Sequence, residues 1–343
     1  METQTIHNVP TITVGQIPGI IKSAYVSDAD CQTAISLEGE PGIGKTAIPP
    51  QVAEELGIGC VLVSAPLLDP ATSAGVPVTD IDTLILQWAT DARWPRVETH
   101  GERGILLIDE FPQCLPMVQA ALSGLIWGRR MGSYTLPDGW MIVTTGNLKS
   151  HRAATHSTPQ HIKGRLERYN VVSDFASFKN YWVKTNKNDI VLAYLENRSD
   201  QLSTFDPNAE LYASPRGWEK VGSVMDADVD PDVRNVRIQA TIGKAEAEGF
   251  DNFVNSMTKL PRLQEIVKDP SRARTVDDPG DQFLLLASLA SAGPADKAAE
   301  LVAYVQRYKP EMQATFVQYA EQKNRALFLT AELTKLKQET LGE

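Results

Sequence analysis

Between about residue 33 and residue 174, short and nearly continuous apolar runs alternate with longer stretches whose apolar positions recur every three or four residues. The runs at 33–37, 60–63, 105–108, 141–144 and 169–172 are rich in Ile, Val and Leu and read as strands. Runs that are apolar throughout, separated by helical patterns, predict a parallel sheet covered on both faces. Between them, 116–130 reads as a helix, with Pro116 in its first turn and Val118, Ala121, Leu122 and Leu125 at i, i+3, i+4 and i+7. After Phe175 the strand pattern stops and the chain reads helical to its end. The polar, proline-bearing stretch 268–280 reads as a linker. Beyond it, Leu301, Val302, Val305, Leu329, Leu333 and Leu336 mark a helical tail. The expected organisation is therefore an α/β core over 1–175, a helical segment over 176–267, and a linker with C-terminal helices over 268–343.

Composition narrows the class without naming a function. The chain has 343 residues, 42% apolar and 22% charged, which excludes disordered, collagen-like and coiled-coil classes. No apolar run approaches the roughly 18 residues a membrane span needs, and the first twenty residues lack a basic stretch followed by an apolar one. The three cysteines, Cys31, Cys60 and Cys114, are far apart and in no metal-ligand spacing, so free thiols in a reducing, cytoplasmic setting are expected. Basic residues number 33 against 43 acidic, a formal charge of −10 with His neutral. That balance disfavours a surface devoted to nucleic acid, because counterion release needs clustered Lys and Arg.

The densest chemical signal is Gly39-Glu40-Pro41-Gly42-Ile43-Gly44-Lys45-Thr46, which matches G-x-x-x-x-G-K-[ST]. Glycines let backbone N–H groups curl around a phosphate at a helix N-terminus. Lys45 is suited to the β- and γ-phosphates and the Thr46 hydroxyl to Mg²⁺. Gly39, Pro41, Gly42, Ile43, Gly44, Lys45, Thr46 and the following Ala47 thus form the candidate ATP cradle. A glycine turn beside an ordinary lysine is the competing reading. The strand before the loop and the helical pattern after it (Val52, Ala53, Leu56, then Gly57) favour the phosphate loop. Pro49-Pro50 fall early in that helix and predict a kinked or tightened first turn.

Two further strands end in polar residues. The run 105–108 leads into Asp109-Glu110, carboxylates at the tip of a buried parallel strand, where open α/β sheets bind ligands. Asp109 would join Thr46 in holding Mg²⁺, and Glu110 would orient or deprotonate an attacking water. The run 141–144 leads through Thr145 and Gly146 to Asn147, whose amide can hydrogen-bond both a water and a phosphate oxygen. Gly146-Asn147 would equally suit a plain turn. Phosphate loop, acidic strand and polar-tipped strand, in that order, mark the AAA+ class of ATPases.

The region from about 33 to 218 resembles the MoxR branch of AAA+ ATPases, which includes the CbbQ/NorQ-type activators. The matching stretches are 39–46, 68–75, 106–111, Gln119-Ala120-Ala121-Leu122 through Arg129-Arg130, Tyr134-Thr135-Leu136-Pro137, Gly146-Asn147, 165–169 and Ser214-Pro215-Arg216. The resemblance implies a three-layer αβα P-loop NTPase core with a parallel sheet, then an α-helical lid and a helical tail. It implies that Arg168, at the start of the last core strand, reaches a neighbouring subunit's γ-phosphate, with Arg165 as the competing candidate. It also implies that Arg216 is a lid arginine contacting the same nucleotide. Ordinary salt bridging for Arg168 or Arg165, and a helix-start arginine after an N-cap serine for Arg216, are the plainer alternatives.

Two stretches depart from the family pattern or add to it. Asn147 is followed by Leu148-Lys149-Ser150-His151-Arg152 rather than an early proline, in a loop that also carries His156 and His161. The histidines lack acidic or cysteine companions at metal-ligand spacing, so a solvated loop is the preferred reading and a basic strip for nucleic acid the lesser one. The connection 65–102 is long, and the resemblance implies a helix insert and pore-facing loops there. Its Trp88 and Trp94 read as core or interface aromatics.

The function that the resemblance implies is an ATP-hydrolysing ring motor, a hexamer, that remodels or activates a protein partner. The implied partners are copies of itself and a protein client carrying a von Willebrand factor A domain, with no membrane span. The rivals are a DNA-directed AAA+ ATPase, such as a clamp or helicase loader, and a nucleotide-gated scaffold without turnover.

Overall fold

The computed structural model describes residues 9–28, 31–69, 72, 74–79, 81–82, 85–148, 160–185, 187–257 and 260–341. The chain divides into two compact units, Met1–Ser177 with Phe205–Ala209, and Phe178–Thr204 with Glu210–Glu343.

The first unit is built on a six-stranded, all-parallel sheet. Its strands are β1 (Thr11–Thr13), β2 (Ala34–Gly39), β3 (Gly59–Ser64), β6 (Gly104–Asp109), β9 (Trp140–Gly146) and β10 (Leu166–Val172), in spatial order β1-β10-β2-β9-β6-β3. Five of these are the runs read from the sequence, each extended by one to three residues. The sixth, β1, pairs Thr11 with Asn170 at the sheet edge and is too short for an apolar period to register. Two small antiparallel pairs accompany the sheet: β4 (Val76–Thr79) with β5 (Leu86–Ala89), and β7 (Arg130–Met131) with β8 (Tyr134–Thr135).

Alternation along β6 explains the layering. Ile105 and Leu107 enter one core with Ile35, Leu37, Met141 and Val143, covered by α1 (Ile17–Ser27) and α2 (Ile48–Leu56). Leu106 and Ile108 enter the opposite core with Val61, Val63, Trp140 and Ile142, covered by α4 (Pro116–Gly128). Both faces are dry because side chains point alternately up and down along a strand. Leu106 and Leu107 are fully buried; truncating either to Ala would cost about 2–5 kcal/mol. This is the α/β, three-layer αβα P-loop core expected from the strand pattern.

Arg129 staples this unit from inside. It caps α4 in the left-handed region (φ 54°) and donates to Cys31 O at 2.7 Å and to Pro137 O and Trp140 O at 2.8 Å. Burial pulls its pKa down from the usual value, yet a guanidinium stays charged, so these carbonyls are its solvation. Two short helices, α3 (Val97–His100) and α5 (Gln160–Lys163), complete the unit, and α6 (Phe175–Lys184) carries the chain onward.

The second unit is helical, as the sequence predicted. It holds α7 (Asp189–Asn197), α8 (Pro215–Asp226), α9 (Pro231–Ile242), α10 (Lys244–Met257), α11 (Leu263–Lys268) and α12 (Pro279–Ala292). They are followed by α13 (Ala298–Val305), α14 (Pro310–Lys323), α15 (Arg325–Phe328) and α16 (Ala331–Leu341). Asn188, Asp230 and Asp278 cap α7, α9 and α12 by accepting from first-turn amides. Trp218 sits among Tyr194 and Phe250, with ring centroids 5.4 and 5.6 Å away. The proline-bearing stretch between α11 and α12 is held down: Arg307 donates to Pro270 O and Ala273 O, and Tyr304 to Arg274 O, each at 2.7 Å. In the tail, Leu301, Val302, Val305, Leu333 and Leu336 are buried, whereas Leu329, between α15 and α16, is exposed.

Candidate functional site

Parallel pairing brings the C-terminal tips of β2, β9 and β6 to one edge, with β9 between the other two. The phosphate loop leaves β2, Asp109 ends β6, and Asn147 follows β9. The candidate groups, separated by up to about a hundred residues in sequence, meet at that edge.

The loop's glycines are there for backbone reasons. Gly42 (φ 79°) and Gly44 (φ 103°) occupy the left-handed region. A Cβ on Gly39 would lie 2.2 Å from Val171 O on the neighbouring strand, so β2 can approach β10 only through glycine. Ile43 is buried and anchors the loop in the core. The helix α2 begins at Ile48, so Pro49 and Pro50 fall in its first turn, where an N–H has no intrahelical partner anyway. Ala47 N donates to Gly44 O at 3.0 Å, which tightens the turn ahead of the helix rather than kinking the helix itself. Gly57, in the left-handed region (φ 66°), ends it.

Lys45 is buried, and its ammonium donates to Gly39 O at 3.0 Å and to Glu40 O. It also lies 3.5 Å from Asn147 Oδ1. The loop thus wraps its own lysine, holding a positive charge at the mouth of the cradle. Thr46 Oγ1 donates to Asp109 Oδ1 at 2.9 Å, and Thr145 Oγ1 donates to the same oxygen. One hydroxyl and one carboxylate are a hard-oxygen pair of the kind that holds Mg²⁺ alongside phosphates and water. The donor set fits that ion, and no group of three or more His, Cys, Asp or Glu competes for a metal among the described residues.

Glu110 is exposed and sits in the left-handed region (φ 56°, ψ 36°), which swings the chain sharply out of β6. The turn that follows is closed by Gln113 N donating to Glu110 O at 2.9 Å. Cys114 Sγ donates to Phe111 O at 3.1 Å, and burial pushes this thiol up to about 11, so it stays neutral. The Gln113 amide, oriented to satisfy its neighbours, donates to Glu110 O at 3.2 Å. Its oxygen accepts from Asn147 N at 3.2 Å and from Asn147 Nδ2 at 2.9 Å.

A phosphate loop leaving β2, carboxylates at and just after the end of β6, and an asparagine just after the strand between them decide the fold. It is that of a P-loop nucleotide-binding core. No family model matches the chain. The chain is 26% identical over 268 residues to the Holliday junction branch migration complex subunit RuvB of Synechococcus sp. (strain CC9902), covering 76% of this chain and 66% of that protein. It is 40% identical over 65 residues to RuvB of Synechococcus sp. (strain WH7803), covering 19% of this chain and 18% of that one. Among solved structures, a RuvB variant from Thermotoga maritima aligns over 85% of each chain at 16% identity with a TM-score of 0.41.

Within this core, the two arginines at β10 differ. Arg168 makes a two-pronged pair with Glu38 on β2, Nε to Oε1 and Nη2 to Oε2, both at 3.0 Å. Arg165, just before β10, is exposed, and its guanidinium lies 4.4 Å from the ring centroid of Trp127, itself 65% exposed. Arg216 belongs to the second unit and is exposed in the first turn of α8, after Pro215 and the N-cap Ser214, whose hydroxyl accepts from Gly217 N at 3.2 Å.

Among the described residues of the connection 65–102, no helix is longer than the four residues of α3. These residues form the β4–β5 ribbon and the single turn α3. Val76, Val78 and Trp88 alternate with smaller or polar residues in the two-residue period of a strand, and all three are exposed. Trp94 is instead core, 6.0 Å from the Tyr134 ring. Pro70, Ala71, Ser73, Lys149 and the remaining positions to 159, with His151 and His156, lie outside the described residues, as does the side chain of His161.

Thr145, Gln113 and Glu38 were not singled out from the sequence. Thr145 could have been noticed as a hydroxyl at the end of an apolar run. Gln113 and Glu38 carry no local signal.

Proposed function

We propose that this chain hydrolyses ATP as an AAA+ ring motor of the MoxR type and uses the cycle to remodel or activate a protein partner. The observation that carries the reading is the convergence of Lys45, Thr46, Asp109, Glu110 and Asn147 at one sheet edge. Backbone amides of the loop and the α2 N-terminus receive the phosphates, and Lys45 neutralises charge on the β- and γ-groups. Thr46 and Asp109 hold Mg²⁺, which when bound offsets the charge that develops on the phosphate oxygens. Glu110 orients a water and takes its proton as the water oxygen bonds to the γ-phosphorus. The bond from that phosphorus to the bridging oxygen breaks, leaving ADP and phosphate. Asn147 holds the water or a γ-oxygen through its amide.

The remaining charge stabiliser comes from a neighbouring subunit. Arg165 is the better candidate, because Arg168 already spends both prongs of its guanidinium on Glu38 in its own chain. Arg216, carried by the helical unit, is assigned to the nucleotide as a lid arginine. The client is a protein, and one bearing a von Willebrand factor A domain is the class to test first. Assembly as a hexamer follows from the same family reading.

A second reading draws on the 26% identity to RuvB, a Holliday junction branch migration subunit: a DNA-directed motor. The −10 charge weighs against it. Phosphate release with and without Mg²⁺ tests the ATPase, and native mass spectrometry measures the ring. Stimulation by duplex DNA, falling steeply with salt, would favour the second reading; protein co-purifying in an ATP-dependent manner favours the first.

A further inference from the structure

Gln113 is the residue that joins the two sides of the proposed hydrolytic site. Glu110 and Asn147 follow different strands, β6 and β9, and Gln113 touches both. Its amide nitrogen donates to Glu110 O, and its amide oxygen accepts from the backbone and side chain of Asn147. The fit is built by the surrounding turn. Glu110 holds a left-handed conformation unusual for a side chain with a Cβ, and Gln113 N closes the same turn. The turn lies directly on β9: a Cβ on Gly146 would come 2.3 Å from Pro112 Cδ and 3.2 Å from the end of the Gln113 amide that faces Glu110 O. Only a residue without a side chain at 146 lets the amide reach Asn147.

Donor and acceptor counting gives the bridge a consequence. An asparagine amide has two N–H donors and one acceptor oxygen. Gln113 takes one donor, which turns Asn147 Oδ1 toward Lys45 and leaves the second N–H available to a phosphate oxygen or water. Without that bond the Asn147 amide can rotate by half a turn, presenting an acceptor where a donor is needed. We propose that Gln113 is a positioning residue for ATP hydrolysis: it sets which end of the Asn147 amide faces the nucleotide and ties that choice to the turn carrying Glu110. The inference rests on the ATPase reading above.

Two substitutions and two readouts test it. Gln113→Ala should bind a fluorescent ATP analogue and show a KM within about threefold of the wild type, while kcat falls by about 10–100-fold, the scale of a small misplacement of reacting groups. Gln113→Glu separates positioning from packing. Its carboxylate lacks the donor for Glu110 O, but its neutral acid has the amide's donor and acceptor pattern. The deficit in kcat relative to wild type should therefore shrink several-fold between about pH 8 and pH 6, as a carboxyl facing a carbonyl is pushed up toward that range. An unchanged kcat in Gln113→Ala, equal losses in binding and turnover, or a pH-independent deficit in Gln113→Glu would overturn the proposal.

The second readout does not depend on turnover. In nucleotide-free protein labelled with ¹⁵N at asparagine, the Nδ2 proton signals of Asn147, assigned with Asn147→Asp, should move in Gln113→Ala. Signals that stay in place remove the bridge, whatever the activity. A wild type without ATPase, with the signals moving as expected, would sink the function and leave the bridge standing.

Discussion

Arg168 on β10 and Glu38 on β2, two positions apart in register, share two hydrogen bonds of 3.0 Å, one residue before the phosphate loop begins at Gly39. Their side chains are 25% and 14% exposed, so solvent screens the pair only partly. Removing Arg168 leaves a largely buried carboxylate that keeps the Ser36 hydroxyl but loses its counter-charge. Arg168→Ala should therefore lower unfolding stability by about 1–3 kcal/mol, with Glu38→Gln less costly because a neutral amide remains. Chemical denaturation checks this. Full stability in Arg168→Ala would free that arginine for a role outside its own chain.

Arg165 offers the opposite profile. It is exposed and rests against Trp127, itself 65% exposed, so Arg165→Ala should keep its stability and its ATP affinity. Turnover should fall by about 10³–10⁵, the worth of an arginine supplied to another subunit's transition state. Mixed after dissociation and reassembly, Arg165→Ala and Lys45→Ala subunits should recover part of the activity. The Lys45→Ala subunit donates its intact arginine to the intact pocket of its Arg165→Ala neighbour. Mixed rings seen by mass spectrometry without recovered turnover would argue against a shared site, and recovery with Arg168→Ala in place of Arg165→Ala would return the role to Arg168.

Lys45→Ala should abolish nucleotide binding, because it removes the charge that the loop holds at its own mouth. The substitution also removes hydrogen bonds to Gly39 O and Glu40 O, so the loop itself should loosen. Titration with a fluorescent ATP analogue reads the affinity; a value near the wild type's would refute the phosphate-loop assignment.

Glu110→Gln should bind ATP normally and turn it over very slowly. The side chain is exposed beyond the strand tip, and Asp109, not Glu110, takes the hydroxyls of Thr46 and Thr145. Wild-type turnover in this variant would make Glu110 structural and send the search for the base elsewhere.

The parallel core, its helical covering and the phosphate loop were legible along the chain because each depends on neighbours in sequence. Continuous apolar runs have to be buried on both faces, and the glycines at 42 and 44 answer to backbone angles that only a local turn demands. Lys45, Asp109, Glu110 and Asn147 could be picked out for the same reason, since each ends or follows a readable element. Their contacts could not. Thr145 meets Asp109 across two strands, Glu38 meets Arg168 across 130 residues, and the Gln113 bridge needs β6 and β9 side by side. The ribbon at 76–89 and the three-residue β1 were hidden for a different reason: short edge strands carry too few positions for a period to show. Hydrogen-bond partners on separate strands are chosen by sheet order and register, which arise only when the whole sheet closes around its two cores.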